Sequence, residues 1–150
     1  MKKNVIIITL ILLILIIISV VGINVNSKIT KSTISQNSEY EQYLKNEVYG
    51  TDVVTLINKA ISSNESNQIQ KDEKGFYINN NQNSITIDLI MITDEEEQKT
   101  TVYKMETIAK VGTTEFIKNF NTAKFKCTKV EYHSQTGKIA YIELTQGIYY

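Results

Sequence analysis

Residues 84–93 read SITIDLIMIT. Ile85, Ile87, Leu89 and Met91 alternate with Thr86, Asp88, Ile90 and Ile92, the period of two that sends successive side chains to opposite faces of a β-strand. Ile90 and Ile92 make the second half apolar on both faces, which predicts burial on both sides and hence a central strand. Upstream, residues 75–79 (GFYIN) read as another strand, joined to the first by an Asn-rich turn over residues 79–83, the chemistry of a chain reversal. Downstream, residues 94–98 (DEEEQ) form a charged turn and residues 101–105 a third strand. Three strands in that order predict an antiparallel meander.

Further out, the period lengthens. Residues 106–119 have helical spacing, interrupted at Gly112 and restarted by Thr113-Thr114, with Ile108, Phe116, Ile117 and Phe120 as apolar contacts. Residues 125–133 and 138–145 then form a hairpin around Ser134-Gln135-Thr136-Gly137, where Gly137 accepts positive φ. On the other side of the meander, Gly50 interrupts the chain and Thr51-Asp52 supplies an N-cap for VVTLINKAI, in which Val53, Val54, Ile57, Ala60 and Ile61 share one helical face. That helix is expected to end at Ser62-Ser63-Asn64, with polar loop through Lys74. The order implies an α+β fold, with helices on one face of an antiparallel sheet of about five strands.

Residues 5–23 (VIIITLILLILIIISVVGI) carry no charge, and their only polar side chains are Thr9 and Ser19. As a helix this run is roughly 28 Å long, close to the hydrocarbon thickness of a bilayer. Each Ile or Leu lowers the insertion free energy by about 0.3 to 0.6 kcal/mol, which outweighs two hydroxyls. A cleaved secretory signal is the alternative, since Met1-Lys2-Lys3 is a basic head. Signal h-regions, however, run about 7 to 15 residues and end at a small-x-small site, whereas this run ends in VVGINVNS with only Gly22 and Ser27 small. An uncleaved anchor is therefore expected. No cysteine lies near its end for a lipoprotein anchor, and the final IYY has no prenylation or GPI pattern.

Lys2, Lys3 and the amino terminus stand on one side of the span, and Lys28 and Lys31 on the other. A short basic head abutting the apolar run is the usual signal-anchor arrangement, placing the N-terminus in the cytoplasm and the C-terminal domain outside it. The expected layout is a cytoplasmic head over residues 1–4, a transmembrane helix over 5–25, a stalk over 26–48 and an extracytoplasmic domain over 49–150. The stalk suits either a flexible linker or a helical continuation, with helix from about Glu39 favoured.

The hydrophobic fraction of 42%, raised by the anchor, still leaves enough periodic Val, Ile, Leu, Phe and Tyr for a folded domain. All 16 basic residues are lysine; leaving out Lys2 and Lys3, 14 lysines face 16 acids, a net charge of −2. That balance offers no attraction for nucleic acid. The missing guanidinium forks remove the usual bidentate grips on phosphate and guanine. Abundant Lys, Asn, Ile and Tyr without Arg, Pro or Trp is also the signature of an AT-rich genome.

Catalysis requires converging groups, and there is one histidine and one cysteine. His133 reads as a solvent-facing turn residue, and Cys127, between Phe125 and Val130, as a small buried hydrophobe. On one regular strand the two share a face but lie roughly 20 Å apart, too far to pair. Four consecutive acids, Asp94 to Glu97, do not converge as calcium ligands must, so they read as a solvated turn. The nine tyrosines are scattered as half-buried strand residues rather than grouped on a binding surface. There is no phosphate loop, zinc-type Cys/His spacing, GxSxG or SxxK, and the sequon Asn64-Glu65-Ser66 is a pattern frequent by chance. No catalytic, cofactor-binding or metal-ligating residue is assigned, and neither enzyme activity nor a cofactor is expected.

The basic head, one apolar helix leading to the amphipathic segment YGTDVVTLINKAI, and a small antiparallel sheet together resemble type IV pilins and pseudopilins of Gram-positive bacteria. Prepilins carry a Gly before the cleavage point and a Glu early in the apolar stretch, where this chain has Lys3-Asn4 and no Glu before Glu39. No functional residue is carried over. The resemblance implies a non-enzymatic structural or assembly component of a bacterial cell envelope, in contact with the bilayer through residues 5–25 and with envelope, pilus or secretion proteins. The alternative is a membrane-tethered binding or sensory module for a cell-wall polymer, peptide or partner protein.

Overall fold

In the computed structural model of the protein, residues 2–94, 96–97 and 99–147 are described, with side chains from residue 10 onward. The chain divides into two compact units, Met1–Ser35 and Gln36–Tyr150. Helix α1 spans Lys2–Lys45, so residues 26–45 are helical rather than a flexible stalk. Within the first unit every described side chain over residues 10–32 is exposed, and α1 contains a segment long and apolar enough to cross a membrane. The polar side chains there fold back on the helix. Ser19 Oγ donates to the Leu15 carbonyl (2.8 Å) and Asn24 Nδ2 to that of Val20 (2.9 Å), which satisfies each donor without a partner from outside the helix.

The second unit begins with the last turns of α1, whose Tyr40 and Tyr43 are buried. Asn37 is bonded on both edges of its amide: Nδ2 donates to Gly137 O (2.9 Å), and Oδ1 accepts from Ile139 N (3.0 Å). Burial, with Glu39 and Tyr43 adding to it and a hydrogen bond with Ser63 opposing it, pushes the Tyr40 hydroxyl from 10.0 up to about 12. The folded state then holds this proton more tightly than the unfolded chain. The contribution of Tyr40 to stability is therefore constant up to about pH 10 and is lost between pH 10 and 12. Equilibrium unfolding across that window should show the fall, and Tyr40→Phe should make it shallower.

Five strands make one sheet in the order β1-β4-β5-β2-β3: β1 (Val48–Tyr49), β2 (Thr86–Asp94), β3 (Lys99–Lys104), β4 (Lys124–Tyr132) and β5 (Ile139–Gln146). β2–β3, β4–β5 and β1–β4 are antiparallel, whereas β2 and β5 run parallel, with Leu89 opposite Leu144. The fold is thus α+β as the periodicity indicates, but the sheet is mixed rather than purely antiparallel. A parallel pair requires a long crossover, supplied here by β3, α3 (Met105–Val111), α4 (Thr113–Phe120) and β4. β2 lies inside the sheet as expected; Ile85, Ile87, Leu89 and Met91 are all buried, but Ile90 and Ile92 on the other face are half-buried rather than buried.

Two boundaries are corrected. Residues 75–79 are not a sheet strand, because Asp72 holds them in a tight loop: its carboxylate accepts from Lys74 N and Phe76 N, both at 2.9 Å. Ile78 N then donates to Gln70 O (2.9 Å), and Gly75 sits at φ +87°. The fifth strand is instead β1, which straddles the expected boundary between stalk and domain at residues 48 and 49. The other correction concerns α2 (Gly50–Ser66), which starts before Thr51 and runs past Asn64. At its start Asp52 Oδ2 accepts from Tyr49 N (3.1 Å), satisfying a donor the helix leaves free. Val53, Leu56, Ile57, Ala60 and Asn64 of α2 are fully buried, one face at helical spacing. The break at Gly112, φ +109°, separates α3 from α4 as expected.

Candidate functional site

The residues singled out from sequence do not form a site. His133 is buried rather than solvent-facing. Its Nε2 lies 2.7 Å from Ser84 O, and since a carbonyl only accepts, Nε2 carries the proton and ties the β4–β5 hairpin to the start of β2. Cys127 is half-buried, its thiol 3.4 Å from Lys129 O, and burial pushes its pKa up. A protonated thiol is a poor nucleophile. Register shifts between Cys127 and Lys129 and between Glu131 and Tyr132 break the regular alternation on which a shared face for Cys127 and His133 would depend. In the charged turn, Asp94 Oδ1 accepts from Glu97 N (3.0 Å) and Glu97 pairs with Lys99; Glu95 and Gln98 lie outside the described residues. Among the described residues no three His, Cys, Asp or Glu side chains are grouped to hold a metal.

Asn64, the acceptor position of the sequon, is fully buried. Its Nδ2 donates to Ile85 O (2.7 Å) and its Oδ1 accepts from Ile85 N (2.8 Å). It acts as a one-residue strand partner for the start of β2, a role its neighbours in sequence do not announce.

A polar network stands on the sheet face carrying Asp88 and Glu143, which are paired across β2 and β5. The Tyr141 hydroxyl reaches both carboxylates, at 3.3 and 3.2 Å. Burial first, then the two carboxylates, raises its pKa, so it stays protonated and bridges two like charges. Thr128 Oγ1 donates to the other Glu143 oxygen (2.8 Å). Thr128 Oγ1 also meets Thr145 Oγ1 (3.0 Å), which extends the network along β5.

No family model, curated protein or solved structure matches the chain. The functional reading therefore rests on the geometry of the molecule.

Two concavities flank α3, and Thr107 and Val111 line both. One is an apolar groove of about 380 Å³ between the α3–α4 pair and the ends of β2 and β3, floored by Met91, Tyr103, Ile108 and Phe116. The other is a cleft of about 600 Å³ between α3 and the Asp72 loop, with Phe76 and Tyr77 at its wall and Lys71, Lys74 and Lys110 around it. Both volumes fall in the range of small-molecule sites. Glu106 joins the cleft walls, its carboxylate accepting from Tyr77 N (3.0 Å). The cleft is not legible in sequence because its residues come from positions 61–77 and 106–111, and no motif spans them.

Tyr77 is 6% exposed, and its buried hydroxyl has no hydrogen-bond partner among the described residues. An unmet buried donor costs about 1 to 3 kcal/mol. Tyr77→Phe is therefore expected to raise stability by about 1 kcal/mol, read as a higher denaturation midpoint; an unchanged or lower midpoint would show that the hydroxyl is satisfied.

Proposed function

We propose that the chain is a single-pass, membrane-anchored, non-enzymatic component of a bacterial cell envelope, assembling in the manner of a pilin-like subunit, with its N-terminus cytoplasmic and its α+β domain outside. The observation that carries this is the apolar surface of α1: Leu10, Ile16, Ile23 and their neighbours are exposed at about half or more of their area. So long an apolar stretch left uncovered by its own chain is suited to lipid or to the same helix of other copies. His133 and Cys127, each committed to a backbone carbonyl, favour a structural over a catalytic role.

The test is the intact mass of the native protein in membrane and medium fractions, combined with protease accessibility of the C-terminal unit on intact cells. A 17.1 kDa species confined to membranes and digested from outside supports the proposal. A form shortened by the apolar run and found in the medium would sink it. Cross-linking in the membrane should further yield ladders of the chain if it assembles with copies of itself.

The second reading, a tethered binding module, is favoured by the paired concavities beside α3. Retention of the full-length chain on isolated cell wall, without self-association, would select it.

A further inference from the structure

We infer that the cleft between α3 and the Asp72 loop binds a phosphate ester of a polyol or sugar, an inference that rests on the binding-module reading. The loop holding Lys71 and Lys74 is fixed before any ligand arrives. Asp72 accepts two backbone N–H groups of the loop itself, and the Lys71–Tyr77 bridge closes its base. Ordering costs that a mobile loop would incur on binding are thereby largely avoided. Lys110 approaches from α3. None of these three lysines forms an ion pair among the described residues, a state they share with surface lysines such as Lys118, Lys126 and Lys138. Three ammonium groups without an ion-pair partner stand around an opening that Glu65 and Glu106 also line, and lysine binds phosphate as a point charge without needing an arginine fork.

The rest of the lining selects what carries the phosphate. Lys71 Nζ lies 4.4 Å from the Tyr77 ring centroid and Lys104 Nζ 5.0 Å from that of Phe76. The ammonium groups are thus held against aromatic side chains, of which Tyr77 is buried and the half-buried Phe76 leaves apolar surface for the C–H face of a polyol or sugar ring. Glu65 and Glu106 also line the cleft. Carboxylates repel a bare phosphate but accept hydrogen bonds from hydroxyl groups, so a hydroxylated body suits this mixture better than inorganic phosphate or an acyl chain. The two sources of such chemistry in an envelope are a soluble or wall-attached polyol-phosphate chain and a phosphoglycerol lipid headgroup.

The test uses the full-length chain in phosphatidylcholine nanodiscs, titrated with glycerol 3-phosphate, with poly(glycerol phosphate) and, as an uncharged control, with glycerol. A parallel sample carries phosphatidylglycerol in the nanodisc. Saturable binding of the phosphate esters but not of glycerol is expected, weakened about tenfold or more in the Lys71→Gln/Lys74→Gln/Lys110→Gln variant. The charge-matched variant Lys118→Gln/Lys126→Gln/Lys138→Gln should bind as the parent does. Competition by phosphatidylglycerol in the disc assigns the lipid source, and its absence the polymer. No saturable binding, equal weakening in both variants, or equal response to glycerol overturns the inference. Retention on isolated cell wall, measured alongside, reports on the module reading separately: retention that the cleft variant leaves intact keeps the module and removes the phosphate site.

Discussion

Gly50→Ala is expected to destabilise the Gln36–Tyr150 unit by about 3 kcal/mol, at the upper end of what overpacking costs. A β-carbon at this position would stand 2.0 Å from Phe120 O and 2.7 Å from Phe120 C. The obstacle is backbone, so no rotamer change relieves it. Nor can Gly50 retreat, since its own N–H donates to Ala123 O (3.0 Å), and the Phe120 carbonyl that meets the new methyl is held by Ala123 N (3.1 Å). Something must separate, and the two-residue strand β1, paired only through Val48–Phe125 and Tyr49–Lys124, is the weakest joint. Helix propensity alone predicts the opposite sign, because Ala is better than Gly in a helix by roughly 1 kcal/mol. Denaturant unfolding of the full-length chain followed by tyrosine fluorescence decides between them. Gly22→Ala, with nothing within 4 Å, is the control that should leave the midpoint unchanged. A Gly50→Ala protein as stable as its parent would mean that β1 is not docked as described.

Asn64→Ala should cost about 2 to 4 kcal/mol, because it strands both backbone polar groups of Ile85 in a fully buried position. Asn64→Asp is expected to be worse still. A carboxylate can accept from Ile85 N but has nothing to donate to Ile85 O, and it brings an unpaired charge into the interior. Hydrogen exchange gives a local reading beside the global one: the Ile85 amide, protected in the parent, should exchange far faster in Asn64→Ala than amides in the middle of β2. If that amide stays protected, another group serves it and the bridge is not what holds the start of the strand.

The parts of the fold legible in sequence are those set by period. The alternation in residues 84–93, the helical stripe from Val53 to Ile61 and the interruption at Gly112 depend on neighbours within a few positions, and each falls where local pattern places it. What escapes is decided at long range or by a single side chain. β1 is two residues long, too short for any period. GFYIN has strand composition, yet Asp72 turns it into a loop by accepting two backbone N–H groups, those of Lys74 and Phe76. The parallel register of β2 with β5 is set across the intervening residues 95–138, a crossover that no local rule constrains. His133 and Asn64 are the matching cases for side chains. Each reads as a surface polar residue from its neighbours, and each is buried because one backbone segment 49 or 21 positions away needs it. The cleft beside α3 belongs to the same class, since its lysines are unexceptional until the fold gathers them.

Asn37 sets an order of events. Its two amide bonds reach Gly137 and Ile139, 100 and 102 positions later, so the last turns of α1 must wait for partners that are made that much later. Synthesis at about 5 to 20 residues per second leaves several seconds in which Tyr40 and Tyr43 have no sheet to cover them. Contacts of such long sequence separation also slow the folding step itself. The domain is therefore completed only after its final hairpin has been delivered, and a chain stalled before residue 137 leaves an exposed aromatic surface as a target for chaperones and proteases.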